Sequence, residues 1–205
     1  MLFPDFTEIL ITFSVLILSL SVHEAAHAWS ADRLGDTTAR LLGRTSLNPA
    51  VHVDPIGTIV FPLIALVTNV PVLGWAKPVP VNVAQLGRSW REKFMAIAAA
   101  GPASNIVIAV VAAVLLRLLP LEEGVAVQLL QQAVVLNVIL AVFNMVPVPP
   151  LDGGNVLSGL LRGPVSDAYD RIRPYGFLIL YALMFTGVLT TIIGPPASFL
   201  LDLLL

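Results

Sequence analysis

The sequence predicts an all-α polytopic membrane protein with about four spanning helices. Its 205 residues are 57% hydrophobic and 12% charged, whereas an average soluble domain carries about 25% charged residues. The apolar residues are collected in runs of the length, about 20 residues, that a helix needs to cross a bilayer. The chain contains no cysteine, which excludes disulfides and thiolate metal ligands. Its few basic residues also argue against nucleic-acid binding.

Four runs have the length of a spanning helix, namely 9–31, 94–116, 125–146 and 175–193. A fifth run, 56–73, is shorter and is interrupted by two prolines and an asparagine. We expect it to be re-entrant, entering the membrane and returning, or to be embedded in a groove lined by protein. The tail 197–205 is too short to cross and is expected at the interface. No basic residue precedes the first run, which favours a retained helix over a cleaved signal peptide.

The first run carries the sequence His23-Glu24-Ala25-Ala26-His27. Positions i and i+4 of a helix share one face, so the two imidazoles can bind one zinc ion while Glu24 lies beside them as a general base. Two buried histidines bonded to neighbouring carbonyls would be the alternative. Because ionisable side chains inside a spanning helix are costly and usually functional, the pattern favours a metal site.

A catalytic zinc ion usually has three protein ligands and one open position. Asp152, which follows the third run after three prolines, is a candidate for the third ligand. An N-cap of a short helix 153–161 explains it equally well. His52 and Asp54 are rivals, although a polar turn with Asx-type hydrogen bonds is the favoured interpretation of their surroundings. For His52, a role as a substrate contact, gate or alternative ligand stays open.

Three motifs together resemble the site-2 protease family, peptidase family M50, whose members are intramembrane zinc metalloproteases. They are HEAAH in the first run, AGPASN at 100–105 and FNMVPVPPLDGG at 143–154. The segment GWAKPVPVN at 74–82 is similar to the short members that lack PDZ and CBS domains. The resemblance covers nearly the whole chain, which we expect to form a single membrane domain over 1–205.

This resemblance implies one zinc ion per chain, held by His23, His27 and Asp152, with Glu24 as the catalytic base. It also implies transmembrane proteins as substrates. Asn144 lies inside the third motif. It is expected either to bind the substrate backbone or the developing oxyanion, or to form a hydrogen bond between helices.

The ligand set constrains the topology. If the two histidines and Asp152 meet, the first and third runs are parallel, 94–116 returns between them, and 56–73 does not cross. With 32–55, 74–93 and 147–174 on the cytoplasmic side, every Lys and Arg except Arg117 lies on that side, as in other membrane proteins. We therefore predict a cell-membrane protein with its N-terminus outside and its active site towards the cytoplasm.

Alternating prolines in 75–83 predict a short edge strand or hairpin, to which an extended substrate would pair; a surface loop is the alternative. The predicted function is zinc-dependent hydrolysis of peptide bonds within or near transmembrane segments. A non-catalytic metal-binding protein or transporter and a CaaX-type membrane zinc protease are the alternatives. The lipid bilayer and a regulatory membrane protein are the further partners that we expect.

Overall fold

The computed structural model describes residues 6–68, 74–120 and 122–205. Across these ranges the chain is helical and has no β-strand. The helices are α1 Phe6–Leu34, α2 Thr38–Leu41, α3 Phe61–Thr68, α4 Trp90–Leu118, α5 Val125–Asn144, α6 Asp152–Leu160, α7 Pro164–Ile172, α8 Gly176–Phe185 and α9 Val188–Leu204. The fold class predicted from the sequence is confirmed.

Three of these helices, α1, α4 and α5, are long and apolar enough to cross a membrane. Because a helix rises 1.5 Å per residue, the 20 residues of α5 span about 30 Å, the thickness of the hydrocarbon core. Small side chains bring α4 and α5 close together, since Ala109, Ala112 and Ala113 of α4 pack against Val134 and Val138 of α5. The first three predicted spans are therefore present as helices.

Helices α1 and α5 run parallel to each other. Gln132 Nε2 of α5 donates to Thr12 Oγ1 of α1 over 3.2 Å. Further along both helices, Asn137 Nδ2 donates to Ser19 Oγ over 2.8 Å. Because residue numbers rise together along the two helices, their carboxyl ends lie at the same end of the bundle, as the ligand set required.

Helix α4 runs in the opposite direction between them. His23 of α1 contacts Asn105 of α4, while His27, one turn later in α1, contacts Ile97, which lies earlier in α4. The order of contacts along α4 is thus the reverse of that along α1. This confirms the predicted return of the second span.

The two ends of the bundle differ in charge. At one end, Lys93 of α4 donates to Leu34 O, where α1 finishes, over 2.9 Å. At the other end, Arg117 of α4 donates to Leu203 O of α9 over 3.2 Å. All Lys and Arg residues other than Arg117 lie in or beside the segments of the first end.

Gly57 and Trp75, at the two ends of one segment of the chain, lie next to each other. Trp75 N donates to Gly57 O over 3.1 Å, and Thr58 Oγ1 donates to Trp75 O over 2.8 Å. A π-helix, Pro55–Val60, leads directly into α3, and the two together have 14 residues. This is at most about 21 Å of helix, which is too short to cross a membrane. The two ends of the 56–73 segment therefore meet, as a re-entrant segment requires. Residues 69–73 of that segment lie outside the described ranges.

The predicted fourth span, 175–193, is not one helix. Helix α8 ends at Phe185, and the helical stretches on either side of the break are bent by 78°. Gly187 has a φ of 76°, the left-handed conformation that stops a helix, and the Thr186 hydroxyl donates to Ala182 O over 2.7 Å. This stop signal lies inside an apolar run, so the predicted single helix is two helices, and the structure has a fourth span if the bent pair crosses as one broken span.

The tail 197–205 is predicted to be too short to cross the membrane on its own and to lie at the interface. Residues 197–204 form the second half of α9, so they continue a longer helix. Ala197 of α9 is buried against α4 and α5, with Ile193 and Leu201 packed beside it. Because these residues recur at helical spacing, they give α9 one apolar face that docks on the bundle.

The segment 74–82, which we call the strap, is extended but forms no strand. Lys77 N donates to His52 O over 2.8 Å, and Val79 N donates to Glu24 Oε2 over 3.1 Å. The two prolines of the strap have no N–H to donate. Because no neighbouring strand exists in the described part of the chain, the edge strand predicted at 75–83 was wrong.

Candidate metal centre

His23 and His27 of α1 and Asp152 at the start of α6 bring three ligand atoms together. His23 Nε2 lies 3.0 Å from His27 Nε2 and 3.0 Å from Asp152 Oδ2, and the remaining distance, from His27 Nε2 to Asp152 Oδ2, is 3.4 Å. A tetrahedral zinc ion with bonds of about 2.0–2.1 Å holds its ligands roughly 3.3–3.4 Å apart. The three side chains therefore fit a zinc ion and leave the fourth position open.

The hydrogen bonds of the two imidazoles leave their Nε2 atoms available to bind a cation. His23 Nδ1 lies 2.6 Å from Asn105 Oδ1, and His27 Nδ1 lies 2.7 Å from Ile97 O. Both partners are carbonyl oxygens, which only accept, so each neutral ring carries its proton on Nδ1 and has a bare Nε2. Asp152 Oδ2 is buried and faces the two Nε2 atoms, with no hydrogen-bond donor beside them among the residues that the structure describes. Three unprotonated acceptors thus converge where a metal ion would stabilise them.

Glycines let the backbone approach this centre. A Cβ at Gly101 of α4 would fall 2.5 Å from His23 Nε2 and equally against His27. A Cβ at Gly154 would lie 2.7 Å from Pro149 N, so this glycine allows α6 to begin against the turn after α5. Asp152 is carried towards the histidines by this packing. It does not cap α6, whose N-cap is Leu151 without a side-chain bond.

Glu24 lies next to the three ligands. All four side chains line one cavity of about 900 Å³. The rest of its wall is mainly apolar and includes Leu20, Phe94, Leu140, Phe143 and Leu180. Only 9% of Glu24 is exposed, and its Oε2 accepts the Val79 N–H of the strap. The carboxylate is therefore held in place beside the three candidate metal ligands.

A buried arginine, Arg44, anchors the strap. Its guanidinium donates to Lys77 O and Val51 O, and to Pro78 O over 3.2 Å. Burial lowers the pKa of Arg44, and the negative charge of Glu24 raises it. Sequence reasoning did not single out Arg44, because a lone arginine in a loop has no pattern that marks it as buried.

The two further residues predicted from the sequence lie in different places. Asn144 lines the cavity and donates from Nδ2 to Leu140 O of its own helix over 3.0 Å. His52 is 1% exposed and donates from Nε2 to Ser46 O over 2.7 Å. It belongs neither to the three-residue cluster nor to the cavity wall. In the described part of the chain, His52 is linked to the site through its carbonyl oxygen, which accepts a hydrogen bond from Lys77 N of the strap.

A third ligand of the CaaX-protease type would be a glutamate later in the chain. Glu92 is instead paired with Arg162 over 2.6 Å. Glu122 and Glu123 are exposed in the connection between α4 and α5, at the end of the bundle away from the histidines. In the described residues, the histidines are therefore joined by Asp152 alone.

The chain is similar to proteins that are named as zinc metalloproteases. The model of "Peptidase family M50" matches residues 120–187. The chain is 34% identical to "Putative zinc metalloprotease YwhC" of Bacillus subtilis, over 88% of this chain and 82% of that protein. It is 31% identical to "Putative zinc metalloprotease Rip2" of Mycolicibacterium smegmatis, over 84% of this chain and 66% of that protein. No solved structure matches the chain.

Proposed function

The chain belongs to peptidase family M50, and from that premise we propose that it cleaves peptide bonds within or near transmembrane segments of other proteins. At the coarser level it is a zinc metalloprotease and an integral membrane protein. The single observation that carries the finer proposal is the placement of a metal-binding cluster and a carboxylate in one cavity of a membrane helix bundle.

The depth of the cluster supports cleavage inside the membrane. His23 stands 17 positions after Phe6, where α1 begins, which corresponds to about 25 Å along the helix axis. The hydrocarbon core is about 30 Å thick. The zinc ligands are thus expected within the bilayer, near the end of the bundle that carries most basic residues.

His23, His27 and Asp152 would hold the zinc ion, which when bound polarises a water molecule and the scissile carbonyl. Glu24 accepts the proton that the water loses as its oxygen bonds to the carbonyl carbon. The same carboxylic acid then gives this proton to the nitrogen as the C–N bond breaks, so the amine leaves neutral. The Val79 N–H fixes the orientation of Glu24 for both transfers.

The substrate segment would lie in extended form along the cavity wall. Asn144 lines this wall beside the cluster, and its side-chain amide is expected to bind the substrate backbone or the developing oxyanion. Apolar side chains on the remaining wall suit the apolar residues of a membrane span. His52 would act only indirectly, by holding Lys77 of the strap through its carbonyl.

We place the protein in the cell membrane with its N-terminus outside. The basis is the charge difference between the two ends of the bundle, since cytoplasmic loops carry the excess of Lys and Arg. The site then faces the cytoplasmic half of the bilayer. A membrane protein that covers the cavity would be the expected kind of regulator.

The membrane proteomes of cells producing the wild type, Glu24→Gln or Glu8→Gln test the proposal. Glu8→Gln is a matched control, because it is the same substitution at an exposed position of α1. Membrane-anchored proteins should accumulate uncleaved only with Glu24→Gln. Identical proteomes in all three strains, with the protein present in each, would contradict the proposal.

A further inference from the structure

A series of hydrogen bonds between buried side-chain amides runs from His23 through Asn105 and Asn137 to the backbone of α5. We call this series the relay. Asn137 Nδ2 donates to Ala133 O over 2.8 Å. Asn105 Nδ2 donates to Asn137 Oδ1 over 2.7 Å, and Asn105 Oδ1 faces His23 Nδ1 over 2.6 Å. Both asparagines are 0% exposed, so water does not compete for these bonds.

The direction of every hydrogen bond in the relay is determined by Ala133 O, the backbone acceptor at its α5 end. Ala133 O can only accept, so the amide nitrogen of Asn137 must face it and the amide oxygen must face Asn105. Asn105 is then forced to present its nitrogen to Asn137 and its oxygen to His23. A backbone carbonyl of α5 therefore determines that His23 carries its proton on Nδ1.

We propose that Asn105 and Asn137 are positioning residues that hold His23 in the tautomer with a bare Nε2, ready to bind zinc. This inference rests on the proposed zinc site. Without the relay, His23 is free to carry its proton on Nε2, where it would point at the other ligands. Loss of such an outer hydrogen bond typically weakens metal binding by about 10–100-fold.

The two histidines differ in how they are fixed. His27 Nδ1 donates directly to Ile97 O, so no side chain intervenes and its tautomer does not depend on the relay. Substitution in the relay should therefore change His23 and spare His27. If the asparagines served only as hydrogen bonds between helices, their loss would not select one histidine in this way.

The test is ¹⁵N spectroscopy of histidine-labelled, zinc-free protein in detergent. The chain has only three histidines, so each ring can be assigned. His23 should carry its proton on Nδ1 in the wild type and lose this preference in Asn105→Leu and Asn137→Leu, while His27 is unchanged. Zinc affinity, measured by chelator competition, should fall by about 10–100-fold in both variants.

Two further variants control for packing. Ser21→Ala removes a buried hydroxyl of α1 that bonds Ile17 O outside the relay, and it should leave the His23 tautomer and zinc affinity unchanged. Asn105→Asp keeps an oxygen acceptor towards His23, and the O–H of its protonated carboxyl group replaces the amide N–H that donates to Asn137 Oδ1. This variant should therefore preserve the Nδ1–H tautomer and most of the zinc affinity.

An unchanged His23 tautomer and zinc affinity in Asn105→Leu would overturn the proposal. So would loss of the Nδ1–H preference of His23, or a fall in zinc affinity of about 10-fold or more, in Asn105→Asp relative to the wild type. This comparison does not need the leucine variants to fold. Failure of the proposed function is distinguishable. A wild type that binds no zinc would refute the metal site, whereas the tautomer of the metal-free protein still reports on the relay.

Discussion

Replacing Gly101 by alanine should destroy the metal centre without removing any of its ligands. The new Cβ would lie 2.5 Å from His23 Nε2 and also against His27 Nε2. An ordinary contact needs about 3.5 Å, so α4 or both imidazoles must move by about 1 Å. A zinc site tolerates only about 0.2 Å in its ligand distances.

The expected loss of zinc affinity is at least about 100-fold, or roughly 2.7 kcal/mol of binding free energy. Overpacking should add a destabilisation of about 1–3 kcal/mol. Zinc affinity and thermal unfolding of purified protein measure the two effects. Gly194→Ala is the matched control, because it is also a helical glycine and a Cβ there meets nothing within 4 Å. Gly101→Ala protein that binds zinc as tightly as the control would refute the reasoning.

Three other predictions follow from the same structure. Arg44→Leu removes the buried guanidinium that holds the strap, so hydrogen exchange of the Val79 amide should accelerate by at least about 10-fold. This figure follows from about 1.5–3 kcal/mol for each hydrogen bond to a charged group. Arg40→Leu, at an exposed position, should leave that exchange unchanged. Asn144→Ala should lower kcat/KM by about 100-fold at unchanged zinc affinity, and an unchanged kcat/KM would contradict its role towards the substrate. The chain has no cysteine, so a single introduced cysteine reports on its own position. A cysteine at position 122 should react with an impermeant maleimide added outside intact cells, and a cysteine at position 88 should not. The opposite labelling pattern would mean that the orientation in the membrane is reversed.

The sequence predicts the core of the candidate site because its determinants are local or topological. The spacing of His23 and His27 places both rings on one helix face. The resemblance then adds Asp152, and this ligand set requires α1 and α5 to be parallel. The structure confirms that parallel arrangement through the Gln132–Thr12 and Asn137–Ser19 contacts, whose residue numbers rise together.

Other features depend on how one helix is rotated against another, or on which of several hydrogen-bond partners a backbone group takes. A single sequence does not reveal either. The link between Asn105 and Asn137 needs a particular rotation of α4 against α5, which composition does not specify. The stop at Gly187 stands inside an apolar run, where membrane propensity masks a helix C-terminus. In the strap, the proline pattern fits an edge strand, yet the available N–H groups bond a carboxylate and a loop carbonyl instead.

The most direct test measures zinc content and cleavage on the same preparations of the wild type, Glu24→Gln and Asp152→Ala, using a substrate identified by the proteome comparison. The wild type should contain one zinc ion per chain and cleave the substrate. Glu24→Gln should keep the zinc ion and lose at least about 100-fold in rate, the contribution of a general base, and Asp152→Ala should lose both. Cleavage by Glu24→Gln at the wild-type rate, or full zinc occupancy in Asp152→Ala, would contradict the assignment of these residues.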